Sequence, residues 1–300
     1  FDNIVKESFR EQLGRAVDDA TSTDRPYTDI LLSKRVWENG PISWYTREFA
    51  PVTSPGQVYT APEGEYPAQA RPFTDDTWQV RERGGVHAGI LSLPAYLMRF
   101  QTQRGRANRL MEAFACEAYV SPADLVPRPG CSLDSEDLTQ RCFCQSCHSA
   151  LEPAATAFGH FVEQGTTMTT DPVLFPPVNE ACIGKGDAFC RRFYVTDRNS
   201  PSAGKLKALE YERNHPDYPE IVDAGPAGLA QRLINDGTFA RCTVRRLFTR
   251  LLKRDLLIDE RDDRERELLE QLAGEFAASN YDFQALVERL VTLPEYRRAR

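Results

Sequence analysis

The sequence predicts a mainly α-helical protein that carries one extended, proline-rich excursion. Apolar residues recur at helical spacing over residues 3–20 and again in three stripes between residues 238 and 291. Between them, residues 50–85 hold five prolines among Thr, Gly and aromatic residues and keep no helical period. The chain has 300 residues, 41% of them hydrophobic, so it can bury one large core or two ordinary domains.

Residues 1–49 are predicted to form an N-terminal helical segment. The stretch 3–20 has a mostly charged face opposite an apolar one, whose members are Val5, Phe9, Leu13, Ala16 and Val17. Pro26 and its polar neighbours then interrupt the helix, because proline breaks the helical hydrogen-bond ladder. A second helix is predicted from Tyr27 to Val36.

The excursion at residues 50–85 is predicted to be ordered rather than a disordered linker. It carries more aromatic residues than a disordered segment would, namely Tyr59, Tyr66, Phe73 and Trp78. We therefore expect an extended path anchored by these side chains.

Helical patterns return in residues 86–200, which are predicted to form one domain. The predicted helices run from Leu93 to Gln101, from Gly105 to Tyr119, and from Leu151 to Val162, the last begun by Glu152-Pro153. Residues 165–177 are rich in Thr and Pro and are predicted to form a loop.

Residues 201–300 are predicted to form a C-terminal helical domain. One helix spans Thr238 to Lys253, and two more apolar stripes cover Leu268 to Phe276 and Phe283 to Val291. The chain holds no Gly-rich phosphate loop, no G-x-S-x-G elbow and no H-E-x-x-H helix. The commonest alternative classes of enzyme therefore have no support.

One short motif carries specific chemistry. Residues 144–148 read Cys-Gln-Ser-Cys-His, which is the C-x-x-C-H attachment signature of c-type haem. In such sites the two thiols form thioethers with the porphyrin and the adjacent imidazole binds iron. The motif predicts one covalently attached haem c, bound by Cys144, Cys147 and His148, within a helical c-type cytochrome core.

Two other interpretations of the motif stay open. Cys142, Cys144, Cys147 and His148 form a compact cluster of the kind that binds zinc. However, Cys147 and His148 are neighbours whose side chains diverge, so one tetrahedral ion could not easily bind both with two more thiolates. Alternatively, the cysteines serve disulfides alone and the spacing is coincidental.

The other six cysteines form an even set, which fits three disulfides. We favour Cys182 with Cys190, which close a short Gly-containing loop, and Cys131 with Cys142, which bracket a largely acidic stretch. Cys116 with Cys242 would then be the long-range pair. The alternative is six reduced, buried thiols. Haem attachment of this type favours an exported location, periplasmic or extracellular, where disulfides persist.

The second axial ligand decides what the haem does. Met168, in a loop past the motif, is the favoured distal ligand, since a return of the chain could bring its thioether over the opposite face. Met98, Met111, a histidine or an open position are the alternatives. The candidate histidines are His87, His160 and His215. Propionate partners could come from Arg81, Arg83, Arg104 and Arg106, because the Arg fork matches carboxylates.

Net charge and hydropathy indicate which classes of binding partner the chain can have. The net charge of −7 disfavours nucleic acid and favours a positively charged redox partner. No apolar run is long enough to form a transmembrane segment. The sequence begins at Phe1 without an initiator Met, which is consistent with a processed or truncated chain.

Several stretches resemble one family of exported proteins. These are residues 24–32, residues 87–91 with 106–116, the haem motif through Gly165, and the block from Phe239 to Tyr296. Together they resemble the planctomycete-type cytochrome proteins, whose domains are largely of unknown function. The resemblance implies a mostly helical, exported protein with one haem on Cys144, Cys147 and His148. The chain departs from the family at Glu152, where aspartate is frequent, and at Lys253-Arg254, where Gly-Arg is frequent.

Three functions follow as hypotheses. The leading one is a monohaem c-type cytochrome that carries single electrons within a larger exported, multi-subunit redox assembly, with Met168 raising the potential. The second is a haem enzyme with an open distal site that reacts with peroxide or oxygen. The third is an interaction subunit in which the haem staples the fold. An electron carrier is favoured over a catalyst.

Overall fold

The mainly helical class predicted from the sequence is confirmed. A computed structural model describes residues 2–22, 25–49, 57–58, 69–119, 127, 129–134, 138, 141–166, 168–169, 178–207, 223–257 and 263–298. Helices dominate these ranges, and the strands are short two-stranded pairs. The predicted anchors Tyr59 and Tyr66, and His215, lie outside the described residues.

The N-terminal helix α1 spans Asp2–Ser22, which agrees with the predicted amphipathic segment. Its apolar residues Val5 and Phe9 pack with Ile42 against the rings of Phe73 and Trp78. Two of the predicted aromatic anchors of the excursion therefore bind it to the first helix. The guanidinium of Arg15 also lies over the Trp78 ring, 4.6 Å from its centre.

The predicted helix from Tyr27 to Val36 is wrong beyond its first turn. Helix α2 spans only Asp29–Leu32, and strand β1 follows at Arg35–Glu38. This strand pairs antiparallel with β3, Gln79–Glu82, at the end of the excursion, with Arg35 opposite Glu82. The side chains of Val36 and Glu38 are buried while their neighbours are half-buried, which is the alternation of a strand.

A short helix α3, Gly40–Trp44, continues into a π turn at Tyr45–Phe49. Within the excursion, strand β2 covers Gln57–Val58 and pairs antiparallel with β4, Met168–Thr169. The excursion thus returns to the segment that follows the haem motif.

The middle of the chain contains three helices that overlap the predicted ones. A 3-10 turn at Gly89–Ser92 leads into α4, Pro94–Arg99, and α5, Gln103–Leu110, which ends in a π turn at Met111–Ala115. Helix α6 spans Gln145–Thr156. A 3-10 turn at Glu180–Cys182 and helix α7, Ala188–Phe193, complete this region.

The start predicted for the third of these helices is wrong. Helix α6 begins at Gln145 rather than at Glu152-Pro153, and Pro153 lies inside it. The backbone amides of Cys147 and His148 donate to the carbonyl of Cys144, so the motif itself forms the first helical turn. The proline removes one hydrogen bond near the end of the helix, which the flanking packing tolerates.

Three of the C-terminal helices, α9 to α11, match their predicted stripes, whereas α8 and α12 were not predicted. Helix α8 spans Pro226–Asn235, α9 Thr238–Leu252, α10 Asp263–Ala278, α11 Phe283–Val291 and α12 Pro294–Arg298. Their apolar faces join those of α2, α4, α5 and α6 in one continuous core that includes Leu31, Leu97, Phe158, Phe239 and Phe276. Burial of such side chains is the main stabilising force of the fold.

All three favoured disulfides are confirmed. Cys116 pairs with Cys242, Cys131 with Cys142, and Cys182 with Cys190. The first joins the end of the π turn after α5 to the first turns of α9. Three disulfides are compatible with an exported protein. No helix within the described ranges is long and apolar enough to cross a bilayer.

Candidate functional site

The haem motif occupies the start of helix α6, whose N-cap is Cys144. The thiols of Cys144 and Cys147 are free and half-buried, whereas the six other cysteines are in disulfides. The structure therefore brings Cys144, Cys147 and His148 together on one helical turn, as the sequence predicts.

The zinc interpretation loses one of its ligands. Cys142, the first member of that cluster, is bonded to Cys131. Moreover, no three His, Cys, Asp or Glu side chains in the described part of the chain are arranged to hold a metal ion. The remaining Cys144, Cys147 and His148 are the set that haem attachment uses.

The imidazole of His148 has a defined orientation. Its Nδ1 lies 2.7 Å from Oε1 of Glu152, one helical turn later. Residues four apart share a helix face, so the helix itself places the two side chains side by side. A hydrogen bond at Nδ1 leaves Nε2 as the nitrogen that can bind iron.

Glu152 is held in turn by Arg104 on helix α5. The Arg104 Nε donates to the same Oε1 at 2.6 Å. The Glu152 side chain is only 3% exposed, whereas those of His148 and Arg104 are 21% and 29% exposed. The other oxygen of Glu152, Oε2, is buried and has no hydrogen-bond partner in the described structure.

A cleft lies between helices α6 and α8 and the π turn after α5. Its volume is about 350 Å³, which is within the size range of small-molecule pockets. The apolar residues that line it include Met111, Ala150, Pro153, Ala154, Leu229 and Leu233. Its polar lining is Glu117, Tyr119, Arg232, Asp236 and Thr238, and none of Cys144, Cys147 and His148 is part of the lining.

The residues present fit a covalent haem. Two free thiols on one helical turn and an imidazole with one nitrogen already hydrogen-bonded are what attachment and ligation require. Met111, one of the alternative distal ligands, is buried in the cleft, whereas Met98 is exposed on α4.

The backbone of Met168, the favoured distal ligand, lies in β4 opposite Val58. Its side chain lies outside the described part of the chain, so its role stays a prediction.

Of two histidines among the alternatives, His87 lies in the core and His160 is half-buried. His87 is fully buried, and its ring meets that of Phe161 edge to face at 5.8 Å. His160 follows α6, and burial lowers the pKa of its ring although the Asp223 carboxylate opposes that effect. Neutral imidazole is the form that binds metals.

Arg106 has a structural role rather than a role in binding a propionate. Its fully buried guanidinium donates to backbone carbonyls, those of Leu97, Phe100, Phe161, Val162 and Gly165. It therefore ties α4 and α5 to the segment that leads from α6 to β4. Burial lowers the pKa of Arg106 to about 10. Among the four arginines predicted as propionate partners, Arg104 is the one that contacts a residue bonded to the motif.

The sequence interpretation missed Glu152 as part of the site. The signal was present in its spacing, because a carboxylate four residues after a histidine meets it on a helix. The pattern Glu152-Pro153 predicts a helix start instead, and such a start would leave His148 outside the helix and hide that relation.

No family model matches this chain, and neither a curated protein nor a solved structure is similar to it by the comparisons made.

Proposed function

We propose that the chain is a monohaem c-type cytochrome that carries single electrons. The observation that carries this proposal is the state of the cysteines: six form disulfides, and the two free thiols are those of C-x-x-C-H. A pair of thiols kept out of disulfides beside an oriented imidazole is the arrangement that haem attachment needs.

The chain's own residues would divide the work as follows. Cys144 and Cys147 hold the porphyrin covalently, and His148 binds the iron through Nε2. A bound haem supplies a one-electron couple whose potential depends on its axial ligands and surroundings.

The second axial ligand is proposed to be Met168, and the buried Met111 is the alternative ligand with which it is compared. A thioether opposite the imidazole raises the potential of the couple. The resemblance to planctomycete-type cytochrome proteins agrees with this proposal and stays a prediction.

The proposed setting is an exported redox assembly, periplasmic or extracellular. Three disulfides persist in oxidising compartments, which supports export. A net charge of −7 favours a basic redox partner through long-range attraction.

The proposal is tested by producing the chain in a bacterial periplasm with c-type maturation. We expect intact mass to show one haem adduct, and the reduced protein to give a low-spin c-type spectrum. A Cys144→Ser/Cys147→Ser variant should lose both, while the matched Cys182→Ser/Cys190→Ser variant should keep them. A wild-type chain without the adduct would refute the proposal.

The distal ligand is tested in the same preparation. Met168→Ala should convert the low-spin spectrum to a high-spin one, and Met111→Ala should leave it unchanged. High-spin ferric wild-type protein that binds cyanide rapidly would instead support the haem-enzyme alternative.

A further inference from the structure

Three side chains form a continuous chain of contacts behind the haem motif. Arg104 donates to Glu152 at 2.6 Å, and the same Glu152 oxygen lies 2.7 Å from His148 Nδ1. These contacts join helix α5 to the first and second turns of α6. The carboxylate is the central and most buried member of the three.

A buried carboxylate in this position is energetically unfavourable if its only role is to join two helices. Burying a charged group is unfavourable unless its oxygens are satisfied, and Oε2 of Glu152 is buried without a hydrogen-bond partner in the described ranges. A neutral glutamine could accept from Arg104 with less desolvation. The charge at Glu152 is therefore explained better by what it does to His148.

Metal-binding histidines commonly donate their second ring N–H to a carboxylate. Such a bond fixes the tautomer and ring orientation and makes the imidazole a stronger electron donor to the metal. The contact between Glu152 and Nδ1 of His148 has this geometry, with Nε2 left for iron.

Resting on the haem assignment proposed above, we propose that Glu152 is the positioning residue of the proximal histidine and that Arg104 positions Glu152. Glu152 accepts the Nδ1 proton's hydrogen bond and thereby strengthens the donation of Nε2 to iron. Stronger donation favours ferric over ferrous iron, so Glu152 lowers the potential, in opposition to a thioether on the distal side, and Arg104 moderates this effect by sharing the carboxylate.

The test replaces the charge while keeping the shape. Glu152→Gln is compared with Glu288→Gln, which removes the charge of an exposed glutamate on α11. Partners of metal-binding histidines change metal affinity or activity by about 10- to 100-fold when mutated. A tenfold loss of preference for ferric iron corresponds to a midpoint potential higher by about 59 mV for a one-electron couple. We expect at least this rise for Glu152→Gln and none for Glu288→Gln.

A spectroscopic measurement separates positioning from mere helix joining. In the ferrous carbon monoxide complex, which is diamagnetic, the Nδ1 proton of His148 should resonate far downfield and exchange slowly in the wild type. It should move upfield in Glu152→Gln. In Arg104→Met it should stay downfield while the potential falls, because the carboxylate then accepts a hydrogen bond from His148 alone.

The outcomes keep the two proposals apart. A wild-type chain that takes up no haem refutes the proposed function. Haem-loaded wild type whose Nδ1 proton exchanges rapidly refutes the role of Glu152 alone, and this measurement holds even where Glu152→Gln fails to mature. An unchanged potential in haem-loaded Glu152→Gln refutes it as well.

Discussion

The Cys116–Cys242 disulfide is expected to stabilise the fold more than either short bridge. It closes a loop of 126 residues, against 11 for Cys131–Cys142 and 8 for Cys182–Cys190. A cross-link lowers the entropy of the unfolded chain by an amount that grows with the logarithm of the loop length. That relation gives about 5 kcal/mol for the longest loop and about 2.5 kcal/mol for the shortest. The two short bridges lie within the long loop and shorten it, which changes the stabilisation expected from Cys116–Cys242 by only about 0.1 kcal/mol.

The comparison uses two double variants, Cys116→Ala/Cys242→Ala and Cys182→Ala/Cys190→Ala. Each removes one disulfide and two sulfur atoms, so losses from packing are similar and the difference reports loop length. We expect the first to lose about 2 kcal/mol more of the free energy of unfolding than the second. Urea titration of the non-reduced proteins measures this, and the slope should also rise in the first variant, because its unfolded chain expands. Equal losses, or a larger loss in the second variant, would refute the reasoning from loop entropy.

Three further changes test the packing around the site. Arg106→Met should lower the free energy of unfolding by about 3–5 kcal/mol in a urea titration, because several buried carbonyls lose their donor; a loss below 1 kcal/mol would contradict this. Gly89→Ala should lower the free energy of unfolding by about 2–4 kcal/mol, seen as a lower melting temperature. The reason is that φ of Gly89 is +39° and a Cβ would lie 2.2 Å from the carbonyl oxygen of Ile30. The control Gly14→Ala, in open space on α1, should gain up to about 1 kcal/mol. Burial raises the pKa of Tyr96, so its contribution is complete below pH 10 and is lost above it as the unfolded chain ionises first. Tyr96→Phe should therefore lose about 1 kcal/mol less stability than wild type between pH 10 and 11, and an equally steep fall would count against this assignment.

The parts of the fold that the sequence predicted well are those whose signals are local. Helix α1 and helices α9 to α11 each show a full apolar stripe over several turns, and a stripe of that length has few alternatives to a helix. The haem motif is likewise read within five residues. The disulfides followed from loop length and parity, because short loops favour their own ends.

The strand β1 could not be predicted in the same way, because its partner is distant in sequence. Arg35–Glu38 pairs with Gln79–Glu82, across the whole excursion. Within so few residues, the alternation of Val36 and Glu38 is too short to outweigh the preceding helical pattern. Glu38 also obscures the apolar alternation of the strand, because it is a charged residue at a buried position. Its burial is possible because Arg47 lies 3.0 Å from its carboxylate.

Part of the candidate site was hidden for a similar reason. The thiols and His148 are named by their motif, whereas the contact of Arg104 with Glu152 joins residues 48 apart in sequence. Only the packing of α5 on α6 brings them together, and no periodicity records it. Proline is typical of the first turn of a helix, so Glu152-Pro153 predicts a helix start there. That prediction conceals the earlier helical turn of α6, which the motif itself forms.

The order of the cysteines along the chain sets a problem for biogenesis. During synthesis the chain emerges from its N-terminal side, so Cys116 appears first and can meet Cys131 long before its native partner Cys242 is made. Pairing by order of appearance would give the wrong bridge. Reaching the native set then depends on reshuffling of early bonds, which an isomerase accelerates. Under the proposed haem attachment, Cys144 and Cys147 would have to react with the porphyrin before that reshuffling consumes them.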